Sequence, residues 1–464
     1  MQLTDFVYRT LRMLASLFAF GSLKGYRLYM NKSVIKTGLA TFFCPLSLYI
    51  IMLCTFLSCG GSDVPQSAIV CPAKREIVAE KALITHINIF LDASGSMQGF
   101  MPSKTTTTDF QVLIPDFIER LRRDYPNTSL FLLAQQAIPL SQIDIAKARE
   151  KIAKSDFKYG NSSALPAMLD SIAAHTDKNK VSILITDGIY SPTADKLRMR
   201  DQAITDISTT ISGPAKMKYG VSCFQLQSQF GNIFSPYYLF ATGTPQNIQV
   251  IEEELKKSLY TVKNNIISSG FNEMCFGYPE TTPFYSIIPY SDNTGAAEPV
   301  ECPEWGNRVL VMKNADIQMG LEFWVGLDLS ALPVFVKQPA YLKSNLSISG
   351  KNVDAVSIES ILEHQQFKTK ATDPTDKKLA DQCSHFIKIK VLSVEGLSGD
   401  IFLSLKKMQP SWVTAYNHTF SDSAELKRDK TFGLANIVDG MADAYRKYES
   451  NFYFRDLTIS VFKK

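Results

Sequence analysis

Three separated segments carry oxygen-bearing side chains suited to one task. Asp92-Ala93-Ser94-Gly95-Ser96 sets a carboxylate and two hydroxyls at alternate positions around a glycine, Asn161-Ser162-Ser163 adds hydroxyls, and Asp187, followed by Gly188, adds a second carboxylate. Hard divalent cations take oxygen ligands, and Mg²⁺ wants about six of them in near-octahedral array while keeping several waters. One carboxylate and two hydroxyls spaced by single residues place three oxygens on one side of such an ion. The other two segments supply a fourth and a fifth. With neutral hydroxyls and only two carboxylates, the ion keeps residual positive charge and at least one water-held position, which a carboxylate from a protein partner can take. Mg²⁺, or Mn²⁺ or Ca²⁺, is the cofactor such a set would take.

The elements that must position these residues are legible from hydrophobic spacing. THINIFLD reads as a mostly apolar strand ending at Asp92, and VSILIT (Val181 to Thr186) as a strand running into Asp187-Gly188. Between them lie an amphipathic helix from Asp109 to Tyr125, a strand Ser129 to Ala134, and helices around Ile143 to Ala153 and Ala164 to His175. A helix near Ala203 to Ile211 follows, then strands GVSCFQLQ and YYLFATG and a helix opening on Thr244-Pro245. Strands alternating with helices over residues 83–262 predict an α/β domain with a mostly parallel sheet covered on both faces. Ligands collect at the carboxyl ends of strands in such sheets, where Asp92 and Asp187 fall.

These residues resemble the metal-ion-dependent adhesion site of von Willebrand factor type A domains: D-x-S-x-S after the first strand, a hydroxyl at the start of a later helix, and Asp in a T-D-G turn after a central strand. Asp92, Ser94 and Ser96 match the first element, Ser162 the position usually held by Thr, and Asp187 the last. Ser in place of Thr keeps the oxygen but drops the methyl that stiffens the rotamer, and leaves Ser163 as an alternative ligand. The resemblance covers about residues 83–262. It implies a Rossmann-like fold and a module that binds a protein partner rather than an enzyme. The runner-up is a structural or scaffolding subunit without metal-dependent binding. A metal-dependent hydrolase ranks third, since such sites gather more carboxylate or His ligands.

Other chemistry finds little support. The chain has no G-x-S-x-G, P-loop, H-E-x-x-H or G-x-G-x-x-G. The histidines His86, His175, His364, His385 and His418 are scattered, and Ser94 and Ser96 have no evident His partner. Arg120, Arg122 and Arg123 read as a solvated helix face.

Beyond the first domain, residues 263–304 are rich in Pro, Gly, Asn, Ser and Thr and read as an irregular linker. Residues 305–464 bring β-type runs, NRVLVMK, LEFWVGLDL, NLSIS, HFIKIKVLSV, DIFLSL and DLTISVF, with one late helix on Leu434, Ile437, Val438, Met441, Tyr445 and Tyr448. This part is expected to be a strand-rich β-sandwich or α+β domain.

Charge and cysteines concern the address of the protein. The 464 residues hold 49 Lys+Arg and 45 Asp+Glu, a net +4, with 45% hydrophobic and 11% aromatic content that excludes a disordered chain. Residues 1–58 contain six basic groups against Asp5 alone, so the other 406 residues carry 43 basic and 44 acidic groups, close to neutrality. Net charge thus gives no support to nucleic-acid binding. The uncharged run from Thr37 to Ser58, ending at Cys59-Gly60-Gly61, resembles a bacterial lipoprotein signal peptide, with Phe56 standing where Leu is usual. That resemblance implies cleavage before Cys59, lipid attachment there, and a polar linker over 59–82. Translation from Met30 would give such a signal its usual basic start. Gly60 points to the outer membrane by lipoprotein sorting rules, which implies a cell-envelope location. An uncleaved spanning helix is the alternative. Of the cysteines beyond Cys59, Cys275 and Cys302 bracket the irregular stretch and are the first guess for a disulfide.

Overall fold

The structure, a computed structural model, describes residues 83–103, 107–133, 141–160, 164–190, 198–263, 270–288, 297–301, 308–312, 320–368, 374–396, 398–419 and 429–463. The export segment with Cys59, the following tether, and Cys302 lie outside the described residues.

The fold is α/β. In chain order the first layer is built from β1 (His86–Asp92), α1 (Asp109–Asp124), β2 (Thr128–Leu133), β3 (Ser141–Ile143), α2 (Ala148–Lys154), α3 (Leu165–Ala174), β4 (Lys180–Thr186), α4 (Met199–Lys216), β5 (Gly220–Phe230), β6 (Ile233–Gly243), α5 (Pro245–Lys263) and β7 (Asn272–Phe276). The seven strands form one sheet in the order β3-β2-β1-β4-β6-β5-β7. Side-chain alternation divides its residues between two cores. Ile87, Ile89 and Leu91 of β1, with Val181, Ile183 and Ile185 of β4, pack against α1, α2 and α5. Phe90 and Leu184 point the other way, toward α3 and α4. Helix α1 starts on a capping box in which Thr108 Oγ1 accepts from the Gln111 amide and Gln111 Oε1 accepts from the Thr108 amide.

The parallel character expected from the alternation is concentrated in β2-β1-β4. The far half of the sheet is antiparallel, because β5 and β6 are joined through only two residues, with Phe230 paired to Ile233 and Gly231 at φ +63°. A loop that short forces a hairpin, and the returning strand β6 inserts beside β4. A second difference concerns residues 141–147. Ile143 belongs to an edge strand paired with Leu130, and the helix begins only at Ala148.

The later strands form a five-stranded sheet and a four-stranded sheet that enclose a common core, with Phe323, Val325, Ile387 and Ile389 from one and Ile401, Leu403, Ile459 and Val461 from the other. Trp324 and Phe386 occupy the outer face of the four-stranded sheet, covered by Phe367 and Leu379. Across strands, Lys388 and Lys390 reach Glu322 at 2.9 and 3.6 Å. The late helix Leu434–Tyr445 leaves these sheets and packs on α4, completing the second core of the first layer. Ser208 Oγ donates to Asp443 Oδ2 at 2.9 Å, and the Tyr445 hydroxyl donates to the Tyr219 carbonyl at 2.6 Å.

Among the described residues no helix is long and apolar enough to cross a membrane.

Candidate metal centre

Neighbouring strands bring Asp92 and Asp187 together. β1 and β4 run parallel with Leu91 level with Ile185, so the turns that follow both strands open at the same edge of the sheet. The Asp92 carboxylate is fully buried and held from two sides. Its Oδ1 accepts from the Ser94 amide at 2.8 Å, the local bond that makes an Asp-initiated turn. Its Oδ2 accepts from Thr186 Oγ1 at 2.7 Å. Thr186, the first residue of the T-D-G turn, therefore locks one acidic turn to the other.

The serines follow from this turn. Ser94 Oγ and Ser96 Oγ are 3.0 Å apart, with Ser94 buried and Ser96 half-buried. The turn is pinned from outside as well. The Gly95 amide donates to the Gly160 carbonyl at 2.7 Å, and the Gly160 amide donates to the Ala93 carbonyl at 2.8 Å. A Cβ on Gly95 would lie 3.2 Å from that carbonyl, which explains the small residue there. Met97 and Phe100, in the 3₁₀ turn Gly95–Phe100, anchor the loop in the first core. The chain just before the Asn161-Ser162-Ser163 segment thus lies against the D-x-S-x-S turn, while Ser162 and Ser163 themselves lie outside the described residues.

Asp187 is 3% exposed, and its Oδ1 accepts from the Ile189 amide at 3.2 Å. The next residue, Gly188, has φ +69° and donates its amide to Thr186 Oγ1 at 3.1 Å. A Cβ there would lie 2.8 Å from Tyr238 Cδ2. Gly188→Ala combines a left-handed backbone with a ring clash, and should lower stability by roughly 2–3 kcal/mol in urea denaturation. The Tyr238 hydroxyl in turn donates to Thr431 Oγ1 at 2.9 Å, and Thr431 Oγ1 reaches the Asp187 carbonyl at 3.5 Å. Thr431 comes from 244 residues further along the chain, and no local pattern marks it as part of this rim.

The spacing of the two serine hydroxyls is compatible with a hard cation. Two oxygens bound side by side to Mg²⁺ at about 2.0–2.1 Å and at right angles are roughly 3 Å apart, which the Ser94–Ser96 separation matches. Among the described residues no group of three or more His, Cys, Asp and Glu side chains could hold a metal, so a centre here depends on hydroxyls. His385 and His175 lie in other surroundings. His385 is buried and its imidazole is pushed below the usual range by desolvation, and the His175 ring rests near Phe90. Cys275 is a free thiol, with Sγ 3.5 Å from the Tyr453 hydroxyl and burial pushing its pKa up.

No protein-family model, curated protein or solved structure matches the chain.

Proposed function

We propose that the chain is a binding module of the von Willebrand factor type A kind, which captures a protein partner through a divalent cation, Mg²⁺ in the first instance. The supporting observation is the closed acidic turn: Asp92 at the end of β1, locked by Thr186 to the turn that carries Asp187, with two serine hydroxyls at an octahedral edge distance. Ser94, Ser96, Asp92 and Asp187 would hold the ion, together with Ser162, which follows the pinned Gly160 by two residues. A bound cation supplies Lewis-acid capture of a carboxylate offered by the partner. The chain's own task is to bury the carboxylates and fix the hydroxyls.

A second reading has its own observation. Both oxygens of Asp92 are already engaged by protein donors, as a turn that serves only as scaffold would require. Thermal unfolding with Mg²⁺ and with EDTA, followed by partner capture in both buffers, separates the two. A Mg²⁺-dependent rise in Tm with EDTA-sensitive capture is expected; identical results in both buffers would leave the scaffold.

The proposed address is the bacterial envelope, through a lipid on Cys59. The protein should fractionate with membranes and Cys59→Ala should release it. Retention of that variant in the membrane fraction would replace the lipid by a spanning segment.

A further inference from the structure

Away from the acidic turns, the last strand of the first sheet carries an acidic residue in an apolar setting. β7 pairs only with β5, and Glu273 lies opposite Phe224, which packs in the α5-side core, so the Glu273 side chain points toward α5. There it meets Glu252, next to the buried Ile251 of that helix. Both acids are almost wholly withdrawn from solvent, Glu273 at 4% and Glu252 at 1% exposed.

Among the described residues no N–H or hydroxyl donates to either oxygen of Glu273 or to Glu252 Oε2. Glu252 Oε1 takes the Lys256 ammonium, and the two carboxyls bond to each other. Ionised carboxylates offer only acceptors, so that bond needs a proton on one of them. Leaving both ionised would bury two like charges against a single ammonium. Burial, then the Glu252 charge, holds the Glu273 carboxyl well above the ordinary range, which places the proton on Glu273.

The neighbouring groups do not undo this. Lys256 and Lys337 favour ionisation of Glu273 but weigh less than burial and Glu252. Lys256 is engaged by Glu252, and Lys337, itself pushed down by burial, donates to the Ser330 carbonyl at 3.3 Å. Cys223 of β5, Cys275 of β7 and Tyr278 just beyond it bring no positive charge; burial first and nearby negative charge second push all three up.

The position gives the proton a mechanical role. β7 leads from the first layer toward the later sheets, and the Glu273 carbonyl accepts from the buried Trp412 indole N–H at 3.2 Å. Loss of the proton sets two like charges face to face at the seam where α5, β7 and Trp412 meet. We propose that Glu273 and Glu252, joined by one proton and backed by Lys256, form a pH-sensitive latch that fastens α5 to β7 and loosens as pH rises. In the unfolded chain a glutamate gives up its proton at about pH 4.3, whereas the folded protein keeps this one to higher pH. The folded state then binds more protons, so the latch's stability is complete below about pH 4.3 and is lost as pH rises through its own titration.

Urea denaturation of the full chain between pH 5 and pH 8 tests this against Glu273→Gln. Glutamine keeps the shape and an N–H for Glu252 Oε2 while needing no proton. Over this range the unfolding constant of the parent should rise at least ~10-fold more than that of Glu273→Gln, the effect of one proton over one pH unit. Histidines and thiols titrate in both proteins, so the difference isolates the latch. Glu252→Gln, which removes the facing charge, should flatten the profile in the same way. Infrared spectroscopy of the parent at pH 7 should show the carbonyl stretch of a protonated carboxyl. A parent spectrum without that band overturns the proposal even if neither variant folds. So does an unfolding constant that rises with pH as steeply in Glu273→Gln as in the parent.

Discussion

Asp92→Asn should abolish the Mg²⁺-dependent rise in Tm and cut partner capture at least ~10-fold, while unfolding in EDTA changes by only about 1 kcal/mol. Asparagine keeps Oδ1 as acceptor for the Ser94 amide, and its amide nitrogen can donate to Thr186 Oγ1 with the hydroxyl reversing its role. Shape and hydrogen bonds are therefore retained while the charge is removed. Asp92→Ala is the poorer test. It leaves the Ser94 amide and the Thr186 hydroxyl without their acceptor at a fully buried position, which costs roughly 2–4 kcal/mol and confuses loss of metal with loss of fold. If Asp92→Asn shows the same Mg²⁺ dependence as the parent, the ion is not held at this turn.

How far the site could be read in advance follows from the range of the forces involved. The D-x-S-x-S and T-D-G turns are set by local hydrogen bonds after short apolar strands, so sequence pattern alone places Asp92, Ser94, Ser96 and Asp187. Thr186 was within reach, since a threonine beside an acidic turn has a hydroxyl to offer. The β5–β6 hairpin was also signalled, by Gly231-Asn232 between two apolar runs, although its effect on strand order was not. Insertion of β6 beside β4 depends on which edge buries more apolar surface, a property of the assembled sheet. Thr431 and Glu273 are harder still. Each takes its role from partners in distant segments: Tyr238 and Asp187 for one, Glu252 on α5 for the other. No periodicity records such meetings.

The late helix carries the second large prediction: residues 83–276, expressed alone, should fail to give a soluble folded monomer. Their α4-side core is closed by Trp412, Val413, Leu434, Ile437, Val438 and Met441, all supplied from within the later, strand-rich part of the chain. At about 1.5–3 kcal/mol per large apolar side chain buried, the four helix residues alone contribute roughly 6–12 kcal/mol as an upper estimate, comparable to the whole stability of an ordinary domain. Their loss also uncovers Tyr238 and Phe240 beside the Asp187 turn. A point substitution makes the same case in the full chain. Gly440 lets the helix approach α4 so closely that a Cβ would sit 2.8 Å from the Ile204 carbonyl and 2.8 Å from Ile207 Cβ. Gly440→Val should therefore lower stability by about 2 kcal/mol or more. Because Thr431 lies just before this helix and touches the Asp187 turn, the variant should also weaken Mg²⁺ stabilisation. A soluble, cooperatively unfolding 83–276 fragment that still responds to Mg²⁺ would show that the first layer closes without its C-terminal helix.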